Sequence, residues 1–418
     1  MTERRRKGAI LSRGGEAARR RHRPDYWLVV IMAVLLAVGL IVIYSISPGL
    51  SAHRDVSASY FVTKQLISIG LGLVAFGVMA YVPINTWRRL HWGLLAFAAI
   101  ATLAALIMPP PADYPAHRWV HLGSFSFQSS ELLKLVIVLV LSAFLAERIR
   151  HGELGNAQKS FRPIMIALAV IGFTTVVLQS DLGSAGVMVV MVGAMSMMAG
   201  LPMKRLLLLG SVVLIAAAFF IMATPYRRDR LVTFMNPERD CQVAGYQACQ
   251  ALIAVGSGGV FGKGVGHSIQ AYGYLPEAQN DSIFAIYAEK FGFLGVTVIL
   301  GLFLAFFIRI KGIIERAPDE YTRLIAVGVL AWLSTQTIIN IGAMMGVLPL
   351  KGITLPFISY GGTSIVFVTA ATGLLFNISR YTTRSMSIGN TKEGGGHGDS
   401  IDGRRFGRSH NTYSRSRS

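Results

Sequence analysis

Charge is the scarcest property of this chain. Only 15% of its 418 residues are Asp, Glu, Lys or Arg, against about a quarter in an ordinary globular domain. Hydrophobic residues make up 53% and the mean hydropathy is +0.52, which excludes a soluble enzyme and equally a disordered or fibrous chain. Cysteine is nearly absent. Cys241 and Cys249 are too few and too close together for a zinc site or a disulfide scaffold. They form a local bridge if they face an oxidising compartment, and are otherwise small core residues. The first apolar run is not expected to be a cleavable signal peptide, because it is too long for one and no small-residue cleavage site follows it.

Basic residues outnumber acidic ones by 40 to 21, a net charge of +19, and much of the excess sits at the ends. Residues 1–24 contribute +7 and residues 380–418 contribute +5. A nucleic-acid surface would spread that charge over a folded face with interleaved aromatics. No nucleic acid is therefore expected, and anionic lipid headgroups are the expected partner of the tails. The chain divides into a basic tail (1–25), a membrane domain (26–380), and a Gly-, Ser- and Arg-rich tail (381–418) whose composition predicts disorder.

Runs of about 20 apolar residues, enough to cross roughly 30 Å of hydrocarbon, recur along the middle of the chain. The first lies near Trp27–Ser47, the fourth near Glu131–Leu145, the eighth near Ser282–Ile308 and the last near Ser364–Ser379. The expected fold is all-α: a polytopic membrane protein of about ten transmembrane helices. With both ends cytoplasmic, 29 Lys and Arg residues fall inside and eight outside, the bias the positive-inside rule requires. The longest connection, residues 223–281 between the seventh and eighth spans, then faces outward, and its length marks it as functional rather than merely connecting.

Within that loop Tyr246–Val255 reads as a short amphipathic helix, Gly256–Gly266 contains six glycines, and Tyr272–Pro276 suits the membrane interface. The glycines do not make a phosphate loop. Counting back from Gly262–Lys263, the first glycine position falls on Ser257, and Gly264 replaces the metal-binding hydroxyl. A dinucleotide fingerprint fails too, because no strand precedes them. A tight turn letting backbone approach something closely is preferred to direct ligand contact.

Ionisable groups in a membrane span are costly and by default mark a cavity or pathway. Glu131 and Lys134 are three apart on one helix, so they form a structural pair or face a substrate; Asp181 stands at the outer end of the sixth span; Asp281, Glu289 and Lys290 occupy the first turns of the eighth. Asp281 follows the polar run Glu277-Ala-Gln-Asn280 at the outer water boundary. It is either a helix N-cap or a half-buried carboxylate suited to general-base work.

Several blocks carry a family likeness: Arg230-Leu-Val-Thr-Phe-Met-Asn-Pro, Gly256-Ser-Gly-Gly, Tyr274-Leu-Pro-Glu, Asn280-Asp-Ser-Ile-Phe, Arg118-Trp119, Glu131-Leu-Leu-Lys134 and Leu355-Pro-Phe-Ile-Ser-Tyr-Gly-Gly-Thr-Ser364. Together they resemble the SEDS family, the FtsW, RodA and SpoVE proteins of bacterial cell-wall synthesis. Leu350-Lys-Gly-Ile-Thr-Leu-Pro looks more like the FtsW branch, which implies septal synthesis during cell division. The resemblance implies a peptidoglycan glycosyltransferase that polymerises lipid II, with Asp281 as its catalytic residue. It carries family positions onto Arg118, Trp119, Glu131, Lys134 and Glu289, and implies a class B, FtsI-like penicillin-binding protein and other divisome proteins as partners. Four positions depart from the pattern: Ser129 and Ser180 stand where proline is common, Ser282 where Phe is, and Lys290 where a second Glu is.

The expected chemistry is a single inverting displacement, in which the α-linked pyrophosphate of an undecaprenyl-linked donor gives way to a β-glycosidic bond. Pyrophosphate leaves without protonation, so one base suffices where glycosidases use two carboxylates. Charge building on the leaving group calls for cations. Arg118, Lys134, Arg227, Arg228, Arg230 and Lys351 are available, alone or with a bound Mg²⁺ or Mn²⁺, although no metal motif is visible. The expected substrate contacts are Arg118, Trp119, Glu131, Lys134, Asp181, Arg230, Glu289, Lys351 and Ser364. A flippase for the lipid-linked precursor is the alternative; it accounts for the intramembrane charges but less well for the loop and Asp281. A non-enzymatic division scaffold accounts for neither.

Overall fold

The computed structural model describes residues 20–21, 23–53, 55–108, 118–122, 125–235, 241–242 and 245–382. The tails assigned above lie almost wholly outside that set. In chain order the helices are α1 (Tyr26–His53), α2 (Tyr60–Tyr81), α3 (Ile84–Ile107), α4 (Ser129–Arg150), α5 (Arg162–Gly172), α6 (Leu182–Ala199), α7 (Met203–Met222), α8 (Pro225–Met235), α9 (Tyr246–Ser257), α10 (Ile283–Arg316), α11 (Glu320–Met344) and α12 (Gly362–Ser379). Wide-turn π segments, Ala157–Phe161 and Phe173–Leu178, extend α5 at both ends into one span of 22 residues.

Nine of these spans are long and apolar enough to cross a membrane. Helix is the only open-ended backbone form that satisfies all its own polar groups in hydrocarbon. The tenth, α4, is also 22 residues long but carries Glu131 and Lys134. Every residue of α4 from Ser129 to Leu139 is buried, so it runs through the bundle with no face toward lipid, the setting in which intramembrane charge is tolerated. Helix α12, 72% buried, and α11, 67% buried, share that centre, whereas α7 at 6% is peripheral. Helix α11 packs on α4, α6 and α10, and α12 packs on α2.

Two features stand at the N-terminal ends of α4 and α10. A short antiparallel hairpin, Trp119–Leu122 against Phe125–Gln128, leads directly into α4. Helix α10 is broken at Gly292 (φ 64°, ψ −164°), a conformation open to glycine and costly for other residues. The glycine-rich loop lies against that break: Gly264 N donates to Lys290 O (3.0 Å), Phe293 N to Gly259 O (2.8 Å) and Leu294 N to Val260 O (3.1 Å). A Cβ at Gly258 would collide with the Ala288 carbonyl, and one at Gly262 with that of Lys290. The partner that the glycines approach is therefore the backbone of α10.

On the opposite side of the bundle, Glu153 in the α4–α5 connection receives Lys159 Nζ at 2.5 Å and Arg148 Nη1 at 2.6 Å. Those bonds, that of Lys159 first, hold its carboxyl below the usual range.

Candidate active site

Asp281 does not cap α10. The N-cap position falls on Ser282, whose side chain makes no capping bond. Asp281 is half-buried, and its main chain is held from outside its own helix. Asn340 Nδ2, on α11, donates to Asp281 O at 2.7 Å and to Ile353 O at 2.7 Å. Ser359 Oγ donates to Asn280 O at 2.6 Å, and Tyr360 N to Gln279 O at 2.8 Å. The carboxylate is approached by Gln247 Nε2 of α9, 3.5 Å from Oδ1. Gly352 lies against it, close enough that a methyl there would stand 3.8 Å from Oδ2. Lys351, half-buried, precedes Gly352 in the connection between α11 and α12.

One turn further into the bundle, Lys134 Nζ, fully buried, donates to Glu131 Oε1 (2.7 Å) and to Gln336 Oε1 (2.9 Å), and lies 5.2 Å from the Trp332 ring centre. Gln336 Nε2 donates to Thr354 O (2.9 Å), and Thr354 Oγ1 lies 3.0 Å from Ser364 Oγ. Gln336 and Asn340 are four residues apart on α11, about 6 Å along the axis. They fasten the Ile353–Thr354 segment to one helix, so Asp281, Lys351, Ser364, Glu131 and Lys134 form one connected site.

Asp181 joins from the other side. It caps α6, accepting from Ser184 N (3.0 Å), and Ser130 Oγ donates to it at 3.4 Å. The start of α6 abuts the same segment, since a Cβ at Gly183 would stand 2.7 Å from Ile353 Cγ1 and 3.6 Å from Lys351 Cβ. Arg118 spends Nε and Nη2 on the carbonyls of Gln179 (3.0 Å) and Ser180 (2.5 Å). It thereby secures a residue at φ +54°, a conformation closed to the proline common in the family pattern. Its first task is thus to hold the α5–α6 corner.

Three further expected contacts lie on other elements. Glu289 is fully buried and its oxygens take Lys263 Nζ (3.1 Å), Ser268 Oγ (2.5 Å), Ile269 N (3.0 Å) and Gln270 N (3.3 Å); it ties the glycine loop to α10. Trp119 stands in the hairpin opposite Gln128. Arg230 lies on α8, and its side chain is outside the described set. Cys241 and Cys249 are disulfide-bonded, with Cα atoms 5.6 Å apart, at the foot of α9, the helix that presents Gln247.

Sequence reasoning missed Asn340, Gln336, Ser359 and Gln247, because it searched the spans for ionisable groups. Amides four apart on an apolar helix were the available signal: such groups bond across helices when water is absent. Among the described residues no three His, Cys, Asp or Glu side chains converge. A Mg²⁺ or Mn²⁺ ion here would depend mainly on substrate phosphates for its ligands, as magnesium commonly does.

The profile of the FtsW/RodA/SpoVE family, described as cell cycle protein, matches residues 26–384. The chain belongs to that family. Stage V sporulation protein E of Bacillus subtilis is 36% identical over 362 residues, covering 86% of this chain and 98% of that protein. The probable peptidoglycan glycosyltransferase FtsW of Saccharophagus degradans is 36% identical over 372 residues, 88% of this chain and 95% of that one. Among solved structures, the rod shape determining protein RodA of Thermus thermophilus superposes with a TM-score of 0.63 at 26% identity, over 85% of this chain and 97% of that chain. A chain from a peptidoglycan synthase complex, described as coordinating polymerization and crosslinking, reaches 0.68 at 25% identity, over 85% and 98%. The FtsW/RodA/SpoVE match begins where α1 begins and takes in the whole clustered site.

Proposed function

We propose that this chain is a peptidoglycan glycosyltransferase that polymerises lipid II at the outer face of the cytoplasmic membrane during septal synthesis, with Asp281 as general base. The observation that carries the reading is the setting of Asp281: a half-buried carboxylate whose carbonyl is clamped by Asn340 and whose side chain lies against Gly352, in a family whose FtsW members are named for this activity.

In the reaction, Asp281 takes the proton of the acceptor sugar hydroxyl as that oxygen attacks the donor's anomeric carbon. The anomeric carbon–phosphate oxygen bond breaks on the opposite face, and pyrophosphate leaves with the electron pair. Lys351 is the cation best placed to meet that charge. It adjoins Gly352, which lies against the Asp281 carboxylate.

The flippase reading needs charges along an open path. Glu131 and Lys134, 4% and 0% exposed, bond each other and Gln336 inside the bundle, which favours a structural pair. The charge bias supports cytoplasmic ends. The synthase complex found among the structural relatives supports a cross-linking partner of the class B penicillin-binding type, with divisome proteins around it.

The test is glycan-chain formation from labelled lipid II by the purified protein with its cognate cross-linking partner. Asp281→Asn keeps the shape and removes the base, and is expected to be folded and inactive. Normal polymerisation by that variant would overturn the mechanism. Translocation of labelled lipid II in vesicles, without polymer from the wild type, would transfer the reading to the flippase.

A further inference from the structure

We propose that Asn340 is the positioning residue for Asp281, an inference that rests on the general-base reading above. Asn340 is 1% exposed and sits on α11. Both its amide donations go to main-chain carbonyls, Asp281 O and Ile353 O, each at 2.7 Å. These carbonyls belong to the two segments that enclose the site, the turn before α10 and the connection after α11.

The orientation of the amide is fixed by chemistry. A flipped Asn340 would set its own oxygen against two carbonyl oxygens, so only the donor end can face them. The other end, Oδ1, is buried without a hydrogen-bond partner, which membrane-buried polar atoms ordinarily avoid. The site therefore uses this side chain as a double donor and leaves its acceptor unused. An apolar residue would fill the same space at less cost if packing were the whole requirement.

What the clamp achieves follows from what α10 lacks. Ser282 makes no side-chain capping bond; the turn carrying Asp281 is fastened by Asn340 from below and by Ser359 and Tyr360 from the side. Asn340 also holds Ile353, the residue of that connection nearest the Lys351–Gly352 step beside the carboxylate, whereas Ser359 reaches it at Leu355, accepting from Leu355 N at 2.7 Å. Gln336, one turn away, holds the next carbonyl, Thr354 O. The base and the cation next to it are thus spaced from a rigid central helix by Asn340, with Ser359 bridging the same two segments two residues further along.

The experiment measures kcat and KM for lipid II polymerisation by the complex with its cross-linking partner. Asn340→Leu, near in volume and without donors, is expected to stay folded and to lose about a hundredfold in kcat, the scale of an ångström-sized misplacement, with KM within about twofold. In an Asp281→Glu background, where the carboxylate is already displaced, the same substitution should cost little more, because the two act as one unit. Asn340→Asp, isosteric and without donors when ionised, should repeat the loss.

Wild-type kcat in either variant would overturn the proposal. So would an undiminished loss in the Asp281→Glu background, or failure of both variants to fold, each of which makes Asn340 a residue of the fold alone. If Asp281→Asn itself polymerises normally, it is the general-base reading that fails, and the two failures are told apart.

Discussion

Asp281 and Glu289 are eight positions apart and look alike to any rule that flags acids near a membrane span, yet their surroundings differ. Glu289 is 0% exposed, with an ammonium, a hydroxyl and two backbone amides around its carboxylate, so it has no capacity left for substrate. Asp281 is half-buried, with an exposed glycine at its side. Glu289→Gln should accordingly act on stability. Bonds to a charged group contribute about 1.5–3 kcal/mol each, and the variant's unfolding midpoint in detergent should fall, with polymerisation lost only in proportion to folded protein. An unchanged midpoint with polymerisation abolished would return Glu289 to the substrate site. Charge type could be read from the one-dimensional chain, but occupancy could not, because Lys263, Ser268 and Gln270 reach Glu289 only when the glycine loop folds back.

That loop is where elements, rather than residues, set the behaviour. A run of glycines signals close approach without naming the partner, and the partner is the break in α10. Gly262 has φ +80° and no room for a Cβ beside Lys290 O, while Gly256 has nothing within 4 Å of its Cβ position. Gly262→Ala should therefore lower stability by about 1–3 kcal/mol or more, the cost of overpacking added to that of a left-handed alanine. Gly256→Ala, inside α9, should be neutral or stabilising by up to about 1 kcal/mol. Thermal unfolding of the two variants side by side checks the contrast, and equal effects would mean that the loop does not dock on α10. The hairpin before α4 escaped the sequence reading because strands of four residues have too few positions for alternation to stand out. Helix α8 escaped it because its polar, arginine-rich stretch lacks an apolar stripe.

At the scale of the whole molecule, the Cys241–Cys249 bridge bears on which way the bundle faces. A disulfide persists on the oxidising side of a membrane, and the chain has no other cysteine. In intact cells a membrane-impermeant maleimide should leave the protein unlabelled until a reductant is added, and label it thereafter. Labelling that needs permeabilisation instead would put the loop inside and reverse the proposed sidedness. The spans, their lengths and the charge bias across them were all apparent in composition, since twenty apolar residues have few alternatives to a membrane helix and a positive loop resists translocation. Asp281 was singled out there too, its type and depth suiting either a helix cap or a base and the family resemblance implying the base. What only the tertiary structure decided is which polar groups are already spent. Lys134 meets Gln336 across 202 positions, Asp281 meets Asn340 across 59, and Arg118 meets Gln179 across 61. Hydropathy is a property of neighbours along the chain, whereas the saturation of a buried charge depends on helices that meet only after the bundle has formed.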